Sequence, residues 1–595
     1  MKKYIPILLI FAIYASLSAN NAFLGYLYPA GGQKGTVVRV IAGGQGFGGK
    51  ISLISSNPGI KLKSAVRIPY MGYFQPPQRK WLTDFLKNLY SGKTEKPPIP
   101  ENKEGYTWRK HQWLDELDKL PLLERSIVAH SIFVRPNALQ AAPSISTRIL
   151  LELEIAPDAA EGACRIRLAA GRNISNEKLF FVNSAAEIIE PPYYPPFAKK
   201  PPTECADKFP AILNGQIMPG ETDVFPLILE AGQPYTFAMC AAELSPYLGD
   251  TVPGHFQGIL TLRDAENREV AFADDEYHHP DPVMRFTPAK SGRYSLHISD
   301  SIKRGRADFV YRVNITKGTL PFTPYANKSS YSPKTQAIDA GTAGTITPQM
   351  YQNGIDIKGR ITSVNGKTFK IQAAKNERLI FEVFAARLDS PLDSVLVLRD
   401  ENREIIAEND DAPSKLDLDI CRRQTDSKID ITFPANGIYS LELHPRTSNC
   451  KDNFYTLQIR RPEPSVLAVS GMSVLDFDRK GFGKMRFYIK RKDGFSGEVK
   501  ITSPQLKAAK NPIIKPDKDS IEIIFYMKKP PRKNHIMQLN FNAEYSVNGK
   551  KYSVPVIPAD ETMQAFAYTH LVAAENFYCY TIRPVLKKGS VLNID

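Results

Sequence analysis

Residues Leu379 to Asp411 read LIFEVFAARLDSPLDSVLVLRDENREIIAENDD, and this stretch decides the fold. It alternates short runs of β-branched and apolar residues with turn formers. That pattern predicts strand, turn, strand, turn, strand, closed by an acidic loop at Asp410-Asp411. A diverged copy, LTLRDAENREVAFADD, ends at Asp275. The copies are 136 residues apart at Asp264/Asp400 and at Asp274-Asp275/Asp410-Asp411, and 145 apart at Gly292-x-Tyr294/Gly437-x-Tyr439. The extra residues fall in a longer loop that holds Cys421. A β-module present twice predicts a repeat architecture rather than one catalytic core.

The chain around these copies has 595 residues, enough for roughly three to five domains at ~100–200 residues each. Its 46 prolines and 37 glycines are spread without a short period and separate short apolar runs, as in all-β proteins. The formal net charge is +15, with the basic residues scattered. This fits a solvated basic surface, or attraction to an acidic polysaccharide, a cell wall or a membrane surface. No nucleic-acid-binding motif occurs, so no nucleic-acid partner is expected. The start, MKKYIPILLIFAIYASLSA, has a Lys2-Lys3 charged region, an apolar core and small residues before position 19. Residues 1–19 therefore read as a secretory signal peptide. The mature protein is expected to be exported, whether periplasmic, cell-surface or extracellular. No transmembrane segment is expected after cleavage.

Taken in order, the expected organisation is four tandem β-sandwich domains of jelly-roll or immunoglobulin-like type. Residues 23–188 form the first sandwich. Its glycines 43, 44, 46, 48 and 49 read as a β-turn, because no Lys-Ser/Thr and no helix follow them. A helical insertion is expected at about 76–130, where Trp81, Leu82, Phe85 and Leu89, then Trp113, Leu114 and Leu117, recur at helical spacing. Strands resume at Ser131-Ile132-Phe133-Val134. Residues 189–202, rich in proline, read as a stiff extended linker. The two repeats occupy 203–317 and 346–461, with a linker at 318–345. Residues 462–595 form the last sandwich, with a hairpin at Asn548-Gly549 and an aromatic tail packed on as a final strand.

The order of motifs within the repeats resembles the bacterial pre-peptidase C-terminal domain. The second copy carries Gly359-Arg360-Ile361, Ser390-Pro391-Leu392-Asp393, Leu398-Arg399-Asp400, Asp410-Asp411, Phe433-Pro434 and Gly437-Ile438-Tyr439. The first keeps Gly215-Gln216-Ile217, Asp223-Val224-Phe225, Leu262-Arg263-Asp264, Asp274-Asp275, Phe286-Thr287-Pro288 and Gly292-Arg293-Tyr294, but replaces S-P-L-D with SPYLGDTVPGH. The flanking domains are similar to those of multi-domain bacterial surface proteins that carry such repeats. The resemblance implies an exported accessory module, with relatives that bind collagen or polysaccharide and can hold calcium.

Candidate sites follow from residue chemistry. Asp264, Asp274 and Asp275, and Asp400, Asp410 and Asp411, are loop carboxylates. They suit either calcium, which takes several oxygen ligands, or turn capping through backbone N–H groups. Calcium is the one candidate cofactor. Trp81, Trp108 and Trp113 either fasten the insertion to the sandwich or offer an aromatic platform to a ligand. Cys205 with Cys240, and Cys421 with Cys450, are candidate disulfides permitted by export. No G-x-S-x-G or H-E-x-x-H occurs, and no catalytic residue is assigned. The expected function is non-catalytic binding, adhesion or scaffolding, with a polysaccharide or a protein as ligand. The alternative is an accessory subunit of a secreted hydrolase or peptidase, or a hydrolase with its site in the N-terminal domain.

Overall fold

A computed structural model describes residues 22–68, 74–99, 108, 110–133, 142–249, 254–319, 332–334, 336–412, 416, 418, 423–448, 453–529, 531, 533–564 and 568–582. The expected signal peptide, Cys421 and Cys450 lie outside the described residues. The chain divides into two compact units. One is Met1–Ser245, Gly258–Ala273 and Met284–Thr319; the other is Pro246–Gln257, Asp274–Val283 and Leu320–Asp595. The architecture is all-β, as the alternation predicts. No helix among the described residues is long and apolar enough to cross a membrane.

In the first unit, β1 (Phe23–Tyr28), β3 (Val37–Gln45), β6 (Thr147–Ile155) and β5 (Ile60–Ile68) form one sheet in that order. The second sheet runs β2 (Gly31–Gln33), β9 (Lys178–Asn183), β7 (Gly162–Ala170), β4 (Ile51–Ser55), with β8 (Asn173–Ile174) on β7. Alternate residues, among them Leu24, Val40, Leu151, Leu153, Ile166, Leu168 and Phe180, fill one core between them.

The helical insertion follows β5. Helix Pro76–Tyr90 buries Trp81, Leu82, Phe85, Leu86 and Leu89 on one stripe. Residues Ser131 to Phe133, read from the sequence as the start of a strand, are instead the last turn of helix Leu122–Phe133. The period explains the change: Val128 and Ile132, four apart, are buried on one face of a helix that packs against the first.

The first repeat has a five-stranded sheet, β10 (Glu187–Ile189), β11 (Ala211–Gln216), β18 (Val310–Lys317), β13 (Tyr235–Cys240), β16 (Val283–Phe286). Its second sheet is β12 (Asp223–Leu229), β17 (Gly292–Asp300), β14 (Gly258–Arg263), β15 (Glu269–Ala273). The second repeat reproduces both orders. One sheet is β19 (Gln336–Asp339), β20 (Ile355–Arg360), β27 (Phe454–Arg460), β22 (Arg378–Phe384), β25 (Lys428–Thr432). The other is β21 (Lys367–Ala373), β26 (Gly437–Pro445), β23 (Ser394–Arg399), β24 (Ile405–Asn409). Even the irregularities recur. A register shift falls between Leu262 and Arg263 in one copy and between Leu398 and Arg399 in the other.

The glycine of each G-x-I motif has a physical cause. Gly215 pairs with Tyr311 and Gly359 with Tyr455, and in each case the tyrosine ring lies where a Cβ would have to sit.

The last part of the second unit is again all strand. Its core gathers Phe487, Phe525, Phe541 and Phe577. Hairpin Asn542–Val547/Lys550–Pro555 turns at Asn548-Gly549 with both φ positive, as expected of an Asn-Gly turn. The aromatic tail adds Phe577–Tyr580 as a strand between Val474–Leu475 and Ile536–Leu539.

Candidate ligand cavity

The candidate site lies in the first unit, where the chain passes from the first sandwich to the first repeat. Strand β10 leaves the sandwich and joins β11 in parallel. The join is locked by Arg312, whose guanidinium donates to both oxygens of Glu187 at 3.0 and 3.1 Å, to Asn214 Oδ1 at 3.2 Å and to Asn183 Oδ1 at 3.2 Å. It also lies 5.0 Å from the centre of the Phe181 ring. Both charged side chains are almost fully buried, so the pair is held by its hydrogen bonds as well as by its charges. Nearby, Ser144 Oγ donates to Asp308 Oδ2 at 2.5 Å.

The proline-rich segment that follows β10 does not hang between domains. Tyr193 meets the His130 ring at 5.1 Å, Tyr194 meets Tyr90 at 5.4 Å, and Phe197 meets Phe133 at 5.4 Å, each edge to face. Proline stiffness and these ring contacts hold the segment against the helices.

Between sandwich, helices, segment and repeat lies a cavity of about 950 Å³, a size suited to an organic ligand. The rings of Tyr28, Tyr193 and Tyr194 form part of its wall, with Arg148, Glu190 and Glu221 among its polar groups. Glu190 and Asp223 lie close enough for each carboxyl to act on the other. Tyr311 Oη donates to Asp223 Oδ2 at 2.6 Å, and the Gln216 N–H donates to Glu190 Oε2 at 3.4 Å.

Burial is the main cause that pushes Glu190 well above the usual carboxylate range. Asp223 and then Glu221 add to it, and Lys200 opposes them. Asp223 is raised too, by burial first, while Glu190 and Tyr311 pull the other way. The Tyr28 phenol is raised by burial and then by Glu190, Asp223 and Glu221. Burial and then Arg148 lower His130, which also lines the cavity, to about 4.

The second repeat supplies a comparison. By strand register the counterparts of Asp223 and Tyr311 are Lys367 and Tyr455. Glu190 N–H donates to Asn214 O, and its counterpart Ala340 N–H donates to Lys358 O. The repeat fold therefore forms with alanine and lysine in the two acid positions, and there the Tyr455 hydroxyl has no hydrogen-bond partner. The acid pair is a property of the first copy, not a requirement of the architecture.

The residues singled out from the sequence stand elsewhere. Asp264 and Asp400 hold turns: Oδ1 of each accepts two backbone N–H groups. Asp410 is paired with Arg446 at 2.6 Å. Asp275 is raised, by burial and then by Asp274 and Glu276. Among the described residues no three His, Cys, Asp or Glu side chains are placed to hold a metal ion. Trp81 and Trp113 are buried in the insertion, so they do not form an open platform. The Trp81 indole donates to Pro97 O at 2.8 Å, and its ring meets that of the half-buried Trp108 at 5.7 Å. Cys205 and Cys240 do not bond to each other. Cys240 ends β13 in one sheet, whereas Cys205 lies beside Arg293 on the facing sheet, next to the Ala206–Leu227 bridge.

Glu190 and Tyr28 escaped the sequence reading, and Asp223 entered it only as a family motif. The one local signal was an acid directly before Pro-Pro-Tyr-Tyr at 191–194.

No protein-family model matches the chain, and no curated protein matches it in sequence. Among solved structures, the tandem CBM51 modules of a family 98 glycoside hydrolase from Streptococcus pneumoniae align at 12% identity. The alignment covers 41% of this chain and 83% of that one, with a TM-score of 0.13. The tandem CBM22 modules of a Paenibacillus barcinonensis protein align at 10% identity over 41% and 84%, also with a TM-score of 0.13. A Bacteroides uniformis β-glucuronidase aligns at 11% identity over 34% of this chain and 28% of that one, with a TM-score of 0.17. Likenesses at these scores say nothing of ligand or reaction. The class defined by the chain's own strands is a multi-domain, all-β protein of tandem sandwiches.

Proposed function

We propose that the protein is an exported, non-catalytic binding protein and that it takes a saccharide chain into the cavity of the first unit. One observation carries this reading: Tyr28, Tyr193 and Tyr194 line one cavity together with ionisable and amide side chains. Tyrosine offers a broad apolar face with a polar tip, which suits the alternating C–H and hydroxyl surface of a sugar ring. Glu187, which also lines the cavity, is neutralised by Arg312. The resemblance of the repeats to the pre-peptidase C-terminal domain, and the leader-like start, support export and an accessory role.

The test is a glycan array on the protein without residues 1–19, followed by calorimetry on the best ligand. Tyr193→Ala is expected to weaken binding about tenfold, as loss of a ring contact would. A ligand whose affinity is indifferent to Tyr193→Ala and Tyr28→Ala would place binding outside the cavity and overturn the proposal.

A further inference from the structure

We propose that Arg148 anchors a carboxylate of the ligand, so that the cavity takes an acidic saccharide, one that contains uronate sugars. The inference rests on the reading of the cavity as a saccharide site and names the class of saccharide.

Arg148 stands near the start of β6, opposite Gly43 on β3, and Gly43 is opposite Tyr26 on β1. One row across the sheet therefore reads Tyr26, Gly43, Arg148. The Tyr26 ring occupies the place that a Gly43 Cβ would take, so it lies over the middle strand, between its own backbone and Arg148. The next residue, Ile149, turns into the core of the sandwich, which turns Arg148 to the opposite face. There it lines the cavity with Tyr26, Arg39 and Ile41. Among the described residues, Arg148 has no ion-pair partner and no side-chain hydrogen bond. A half-buried guanidinium that pairs with nothing returns nothing to the fold for the water it gives up, and in a cavity this marks a ligand contact.

The other charges around the cavity are engaged or stand apart. Arg39 pairs with Glu124, and Glu187 with Arg312. Asp308, which acts on Tyr26, pairs with Arg306 at 2.5 Å. His130, held at about 4, is neutral near neutral pH. Glu190 and Glu221 enter from the segment after β10 and from the turn before β12, and the exposed Lys200 is the cation that opposes Glu190. The acids thus belong to the repeat side of the lining, and Arg148 to the sandwich side.

A ligand that matches this pattern carries a carboxylate toward the sandwich and neutral hydroxyls toward the repeat, where Glu190 and Glu221 bond to hydroxyls and disfavour further anions. A uronate among neutral sugars has that form; a densely sulfated chain does not. The planar guanidinium fork meets a carboxylate with two parallel hydrogen bonds, and the tyrosines of the lining take the apolar faces of the sugars. No covalent bond changes. The net charge of +15 draws acidic chains toward the protein in general, and Arg148 supplies the specific contact.

The test is calorimetry on the protein without residues 1–19. The probes are tetrasaccharides of galacturonate, of mannuronate, and of alternating glucuronate and N-acetylglucosamine, each beside its carboxyl methyl ester. At least one acid is expected to bind about tenfold tighter than its ester. Arg148→Gln is expected to reduce that preference to under about twofold, to leave the ester's affinity unchanged and to melt with the parent. Arg148→Lys, which keeps the charge but not the fork, is expected to keep part of the preference. Esters that bind as tightly as their acids, or a preference that persists in Arg148→Gln, overturn the carboxylate subsite and leave the saccharide reading standing. Binding of no probe by the folded parent also overturns the subsite, and the saccharide reading then stands or falls by the glycan array.

Discussion

Asp264 and Asp400 perform the same task at the same place in two copies of one hairpin. Asp264 Oδ1 accepts the N–H groups of Glu266 at 3.1 Å and Arg268 at 2.9 Å. Asp400 Oδ1 accepts those of Asn402 and Glu404, both at 2.9 Å. Asn267 and Arg403, in the turns so held, both have positive φ. The shared aspartate therefore serves the turn. Asp264→Ala or Asp400→Ala is expected to lower the melting temperature by about 1–3 °C, and Asn at either position, which keeps the accepting oxygen, to restore most of it. Chelator should leave the parent midpoint unchanged. A calcium-dependent midpoint that either alanine variant loses would show that these carboxylates bind metal instead.

Arg312 tests the join between the first sandwich and the first repeat. Arg312→Met leaves the Glu187 carboxylate buried beside two asparagines. The expected cost is about 3–5 kcal/mol, read from urea unfolding of the first unit. Arg312→Met with Glu187→Met should cost less than the single change, since no unpaired charge remains. A double variant weaker than the single one would contradict this account.

The carboxyl pair gives stability a slope with pH. Glu190 and Asp223 are both raised on folding. Their contribution is complete below the unfolded carboxylate range and is lost as pH rises through the folded values. Glu190→Gln keeps the size of the side chain and cannot ionise. The melting temperature of Glu190→Gln minus that of the parent is expected to grow by a few degrees between about pH 4 and pH 8. A gap that shrinks over that range would mean the pair is not strained by ionisation.

His130 works in the opposite direction. Held at about 4, it contributes stability that is present above its ordinary range and lost as pH falls toward that value. The loss can reach ~3 kcal/mol. His130→Gln should therefore flatten the parent's decline in melting temperature between about pH 6.5 and pH 4. Equal slopes for the two proteins would remove His130 from the acid response.

The sheets were legible because their signal is local. In DVFPLIL, residues 223–229, alternate side chains turn inward, and the same period marks β14, β17, β21 and β26. Helix Leu122–Phe133 was misread at its end because Ile-Phe-Val, taken alone, satisfies a strand as well as a helix. The tryptophans were ambiguous for a related reason: rings at helical spacing describe a core as readily as a platform, and only packing decides. The cavity was the least legible part. Tyr311 and Asp223 are 88 positions apart, and Tyr28 comes from another sandwich altogether. Nothing in a neighbouring residue announces such a meeting. The Cys205–Cys240 pairing failed similarly, since a short interval in sequence spans the two facing sheets.

The parallel pairing of β10 on β11 recurs as β19 on β20. It bears on how a chain of this kind can be cut and copied. Each five-stranded sheet takes its first strand from residues upstream of its own first antiparallel pair. A fragment begun at Thr203 would leave one side of β11 bare and open to any passing strand, including that of an identical fragment. The cassette that can be moved whole starts near Glu187, ahead of the prolines, and for the second copy near Gln336. Expression of the repeats from those points, rather than from the apparent linkers, is what should give monomers.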